Sequence, residues 1–159
     1  MKVGICSRKT MEARLKKGTL RHTAVISFYN PAGESHRGGN AVPIDFTGKC
    51  DRVMQIPLLD LDPEVLGDFG MTVDSYFPQA DELAAFILQV KAEGLDLICQ
   101  CEYGQSRSAG CAAAILQFFD RNGIEVFADY RYYPNQLVYH KVLDALEKQK
   151  RRKNDVSVL

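Results

Sequence analysis

The chain of 159 residues has no tryptophan, and its twenty Lys and Arg cancel its twenty Asp and Glu to a formal charge of zero. That balance implies no whole-molecule attraction to nucleic acid or to an anionic membrane surface. No apolar run approaches the ~18 residues that a membrane-spanning helix needs. The N-terminus, "MKVGICSRKT", has one Lys and then a short apolar patch, which does not read as a secretory signal. Five cysteines are present (Cys6, Cys50, Cys99, Cys101 and Cys111), but none forms a C-x2-C pair and the three histidines are scattered. A structural zinc site is therefore disfavoured, and neither a metal nor a cofactor is expected. Without an export signal the cysteines read as thiols in a reducing compartment, and the expected location is cytoplasmic. Internal repeats and low-complexity segments are also missing. The expectation is one domain over residues 1–147, followed by a basic, frayed tail over 148–159.

What is present is an alternation of strand and helix patterns. "VGIC" (3–6) suits a short edge strand, and a Ser-capped helix follows it, ending at Gly18. "TAVISF" (23–28) is β-branched and apolar, the pattern of a buried strand. Residues 29–43, rich in Gly, Pro, Asn and Ser, form a long loop. "RVMQIPLLDLD" (52–62) reads as a strand whose proline marks its edge or end. Residues 77–94 carry Ala80, Leu83, Ala84, Ile87 and Leu88 on one helical face, with Gly94 as a natural terminator. "LDLICQC" (95–101) is a further strand, 106–123 a helix, and a last helix starts near Pro134 with Tyr139, Val142, Leu143 and Leu146 on one face. The pattern predicts an α/β fold with a mostly parallel sheet of about four to five strands flanked by helices. Such sheets bind ligands at the carboxyl ends of their strands.

One of those ends carries the most informative stretch, "CEYGQSRSAG", from Cys101. A Cys and an Arg separated by five residues are weak evidence. With Arg at ~5%, roughly a quarter of chains this rich in Cys would hold such a pair by chance. Gly at the third intervening position and Ser after the Arg cut that to about a fraction of a percent. The setting fits as well, with an apolar strand before and a helix directly after. A loop wound into a helix N-terminus gathers backbone N–H groups and the positive end of the helix dipole around one point, which suits phosphate or sulfate. Gly104 permits torsions or a close approach that a side chain would block. Arg107 can grip two phosphate oxygens with its planar fork. The same dipoles favour the thiolate of Cys101, an activated nucleophile beneath a bound phosphorus.

The stretch resembles the phosphate-binding loop of the cysteine-based protein tyrosine and dual-specificity phosphatases, whose signature is H-C-x5-R-S/T. It matches at Cys101, Gly104, Arg107 and Ser108. "TAVISF", "IPLLDLD", the helix before the loop and the closing "YYPNQLVYHKVL" look like elements of a compact bacterial and phage-type subgroup, in its order. Loosely, the likeness covers residues 1–146. It implies a metal-independent phosphomonoester hydrolase acting on a phosphorylated protein or peptide. Cys101 would form a phosphocysteine, with Arg107 and the amides of Glu102, Tyr103, Gly104, Gln105 and Ser106 holding the phosphate. Ser108 would assist the departing thiolate. The family's general acid is an Asp upstream of the nucleophile; Asp60 aligns best, Asp62 stands close behind, and Asp68 and Asp74 are outsiders. Asn135 would brace the loop.

Three departures qualify the likeness. Gln100 stands where the family carries His, which implies retained activity with a higher pH threshold than is usual for the class. Glu102, Tyr103 and Gln105 supply no lysine, which counts against an inositol-lipid substrate. The missing tryptophan removes the W-P-D acid loop of the larger tyrosine-specific enzymes. Two alternatives stay open: the same chemistry on a nucleotide, RNA end or sugar phosphate, and a phosphate-binding protein without turnover. Cys99 and Cys111 read as small buried hydrophobes, and Cys6 or Cys50 would protect an oxidised nucleophile only if the fold brought one close. His36 and Arg37 are candidates to line the cleft. The basic run Lys148, Lys150, Arg151, Arg152, Lys153 reads as a solvated helix end, and nucleic acid is not the expected partner.

Overall fold

In the computed structural model, which describes residues 1–34 and 40–157, four parallel strands form one sheet in the order β1-β4-β2-β3. They are β1 (Val3–Ser7), β2 (Leu20–Tyr29), β3 (Cys50–Pro57) and β4 (Asp96–Cys101). The helices are α1 (Arg8–Lys17), α2 (Ala80–Ala92), α3 (Arg107–Asp120), α4 (Ile124–Ala128) and α5 (Gln136–Ser157), with a 3-10 helix over Pro63–Phe69. The α/β class read from the sequence holds, with β1 at one edge and β3, ended by Pro57, at the other.

Side-chain alternation along the strands assigns the two faces. Ala24, Ile26 and Phe28 of β2 share one core with Leu97, Cys99 and Cys101 of β4, covered by residues such as Ile87 of α2, Ile115 of α3 and Val142 of α5. The intervening Val25 and Cys6 face the other way, beneath Met11 and Leu15 of α1 and against Ile44 and Phe46. Each large aliphatic side chain fully buried in these layers contributes about 1.5–3 kcal/mol. The connections follow from the same division. The β1–α1–β2 crossover passes over one face and β3–α2–β4 over the other, so all four strands point their carboxyl ends the same way.

Local signals fix the helix ends. Ser7 caps α1, its hydroxyl accepting from Thr10 N at 3.1 Å. Gly94, at φ +72°, closes α2 by donating to Lys91 O, and Leu95 N donates to Val90 O, both at 3.1 Å. α3 is rich in alanine because it is wedged between the sheet and α5: Ala109, Cys111, Ala112, Ala113, Ala114 and Ile115 are all fully buried. At Gly110 the approach is so close that a Cβ would sit 2.4 Å from Asn135 O.

The structure departs from the sequence reading in two places. The strand expected over 52–62 stops at Pro57, because Leu58, Leu59 and Leu61 are all buried and cannot alternate between two faces. Helix α5 also runs past residue 147, where the expected tail begins, and continues to Ser157. No Gly or Pro interrupts that stretch, Lys148 Nζ reaches Asp81 Oδ2 at 2.5 Å, and Lys150 Nζ lies 5.6 Å from the Phe118 ring centre. No helix among the described residues is long and apolar enough to cross a membrane.

Gly110→Ala should push α3 away from the start of α5 and cost about 1–3 kcal/mol, read as a lower urea midpoint at unchanged slope. Wild-type stability in this variant would mean the two helices can part freely.

Candidate active site

All four strand ends deliver residues to one place. β1 runs into Ser7 and Arg8, β2 into Asn30, β3 into Leu58–Asp60, and β4 into the loop from Cys101 to Arg107. Gly104, at φ +68°, lies so tightly against β1 that a Cβ would stand 2.5 Å from Ser7 N and 2.6 Å from Cys6 C. Glycine is needed there for torsion and for space. The loop is tied down on both flanks: Arg8 N donates to Glu102 O at 3.1 Å, Tyr133 N to Gln105 O at 2.9 Å, and Asn135 N to Ser106 O at 3.1 Å. Glu102 Oε2 accepts from Asn40 N at 3.2 Å, while Tyr103 is 66% exposed.

Within this cradle Cys101 Sγ lies 3.1 Å from Ser108 Oγ, both groups buried. Arg107, only 3% exposed, donates through Nη1 to Asn30 Oδ1 at 3.0 Å and to Leu58 O at 2.5 Å. Its Nε has no hydrogen-bond partner among the described residues, and the nearest carboxylate oxygen, Asp60 Oδ2, is 3.9 Å away. A buried cation with a vacant donor, at the positive end of a helix of 14 residues, attracts a tetrahedral oxyanion. No side chain caps α3, because the hydroxyl of Ser106 donates to Asp60 instead, at 2.6 Å. The first amides of the helix are thereby left for a ligand.

Of the acidic candidates, Asp60 is the one set against the loop. Its Oδ1 accepts from Ser106 Oγ and, at 2.8 Å, from Asn135 Nδ2. Asp62 precedes the 3-10 helix without a side-chain capping bond, and Asp62, Asp68 and Asp74 are exposed. Asn135 bonds the segment after β3 as well as the Cys101–Arg107 loop, donating to Leu61 O at 3.0 Å. The sequence reading missed Asn30 and Tyr76. The buried Tyr76 hydroxyl donates to Leu59 O at 2.7 Å, and burial pushes its pKa far above the ordinary tyrosine value. For Asn30 a signal existed, an Asn–Pro pair directly after a buried strand.

Gln100 is buried on the α1 side of the sheet, where Oε1 accepts from Ser27 Oγ at 2.5 Å. Cys50 begins β3 at the amino end of the sheet, opposite the loop. Cys6 meets the loop through its backbone beside Gly104 but turns its side chain to the α1 face, and burial pushes its thiol up to about 11. Cys99 is held well above the usual thiol range by its hydrogen bond with Cys111 and by burial. His36 and Arg37 lie outside the described residues.

Solved structures share this architecture. Tk-PTP in its active form matches with a TM-score of 0.55 at 16% identity, over 93% of this chain and 92% of that one. PTPMT1 in complex with PI(5)P gives 0.53 at 17% identity, over 96% and 94%, and a second PTPMT1 structure gives 0.50 at 18%, over 97% and 95%. No family model and no curated protein matches the sequence. The fold is that of the cysteine-based protein tyrosine and dual-specificity phosphatases.

Inorganic phosphate should raise the melting temperature of the wild type but not that of Gly104→Ala, whose loop cannot close on β1. Equal stabilisation of both proteins would place the anion elsewhere.

Proposed function

We propose that the chain is a metal-independent phosphomonoester hydrolase of the protein tyrosine and dual-specificity type. The observation that carries this reading is the buried Arg107, with an unpartnered Nε, in the same tight loop as a cysteine bonded to Ser108. Cys101 Sγ attacks phosphorus, and the ester oxygen leaves with a proton from Asp60. Arg107 and the loop amides hold the three equatorial oxygens, which is mainly electrostatic stabilisation in a site of low dielectric. Ser108 donates a hydrogen bond to the thiolate when water displaces it from the phosphocysteine. The substrate is a phosphorylated protein or peptide. PTPMT1 has been captured with PI(5)P, but Glu102, Tyr103 and Gln105 here offer no cation for a second phosphate.

Wild type should hydrolyse a phosphotyrosine peptide in the presence of EDTA, and Cys101→Ser should lose activity by several orders of magnitude. Asp60→Asn should lose about a hundredfold or more. Turnover that persists in Cys101→Ser would sink the mechanism. Phosphate binding without hydrolysis would instead indicate a binding module, or a substrate outside proteins.

A further inference from the structure

Asp60 is the outlier of its loop, its side chain 37% exposed while Leu58, Leu59 and Leu61 are buried. A carboxylate so placed would ordinarily sample several rotamers. Here Oδ1 accepts two hydrogen bonds, from Ser106 Oγ at 2.6 Å and from Asn135 Nδ2 at 2.8 Å. Asn135 is itself immobile. It is 4% exposed, its Nδ2 also donates to Leu61 O, and its Oδ1 accepts from Val138 N at 2.9 Å. Its backbone N–H donates to Ser106 O, and its carbonyl packs against Gly110. An amide side chain supplies what this position uses, two N–H donors for Asp60 and Leu61 and an acceptor for the first turn of α5.

Resting on the hydrolase reading above, we propose that Asn135 and Ser106 are positioning residues for proton transfer, confining the acidic proton of Asp60 to Oδ2. Two hydrogen bonds are as many as the two lone pairs of Oδ1 accept. The proton of the acid form therefore resides on Oδ2, the oxygen that faces Arg107 Nε across 3.9 Å and borders the phosphate cradle. In the first step the S–P bond forms and the P–O bond breaks, its electron pair passing to the ester oxygen. That oxygen takes the proton from Oδ2. In the second step a water oxygen bonds to phosphorus, its proton returns to Oδ2, and the S–P electron pair returns to Cys101. Oδ1 keeps both hydrogen bonds throughout, so the donors need not reorganise as charge develops on the carboxylate.

The test is kcat/KM across aryl phosphates of graded leaving ability, from para-nitrophenyl to phenyl phosphate, for wild type, Ser106→Ala, Ser106→Thr, Asn135→Ala and Asp60→Asn. The first and third variants should lose about tenfold more on phenyl phosphate, where the leaving oxygen needs the proton most, than on para-nitrophenyl phosphate. Ser106→Thr, which keeps the hydroxyl, should restore the wild-type dependence. In the Asp60→Asn background neither alanine substitution should add to that difference between the two esters. Asn135→Ala also removes contacts to Leu61 and Val138; should it fail to fold, Ser106→Ala carries the test. A loss uniform across the series, or a difference between the esters that adds to that of Asp60→Asn, overturns the positioning role and leaves the hydrolase reading standing. A wild type that hydrolyses none of the esters overturns both.

Discussion

The guanidinium of Arg107 is the group around which the site is organised. Burying a cation costs several kcal/mol unless its surroundings compensate, and the compensation here is deliberately partial. Two neutral acceptors, Asn30 Oδ1 and Leu58 O, take Nη1, while Asp60 Oδ2 stands 3.9 Å from Nε, which has no hydrogen-bond partner among the described residues. The positive end of α3 adds to the same field. The folded protein thus holds a standing electrostatic demand for an anion at one point, fixed before any ligand arrives. Arg107 also ties the carboxyl ends of β2 and β3 to the helix it begins, so the same bonds that aim it also hold the sheet end together.

That constraint extends into the segment after β3. Three of its carbonyls are claimed from different directions: Leu58 O by Arg107, Leu59 O by Tyr76 and Leu61 O by Asn135. With the leucine side chains buried and the backbone bonded, Asp60 is the group left to project. The phosphate loop, the acid loop and the first turn of α5 therefore form one hydrogen-bonded unit. A substitution in any of them is felt by the other two, which is how rigid sites reach sub-ångström placement from ordinary side chains.

What the sequence made legible was whatever is local. The spacing of Cys101, Gly104, Arg107 and Ser108 lies within eight consecutive residues, and its chemistry is readable without a fold. The alternation of strand and helix patterns pointed to the layer architecture, and the family resemblance put Asp60 first, just past a strand, with Asp62 close behind. The partners of these groups were not legible, because they are set by tertiary contact. Asn30 meets Arg107 across 77 positions, and Asn135 meets Asp60 across 75. "PLLDLD" imitates a strand because burial by three separate layers leaves an apolar run much like burial in a sheet. The continuation of α5 past residue 147 was not legible for a related reason. Charge density suggested a frayed tail, whereas the pairing of Lys148 with Asp81 on another helix is invisible to periodicity.

The same logic explains why one thiol of five stands in the cradle. Alternation along β4 puts Cys99 and Cys101 on one face, but only Cys101 sits where the strand ends and the amides of the loop begin. Cys99, one pleat earlier, is enclosed with Cys111 in an apolar layer that disfavours its ionisation. Cys6 lies level with Gln100 in the pairing of β1 with β4, yet its side chain leaves by the opposite face, into a pocket of Met11, Leu15 and Val25. Cys50 starts its strand instead of ending it. A one-residue shift in the register of β1 or β4 would exchange these environments, so the contact of Gly104 with the backbone of Cys6 and Ser7 does more than make room for an anion. It locks the register that decides which sulfur faces the cradle.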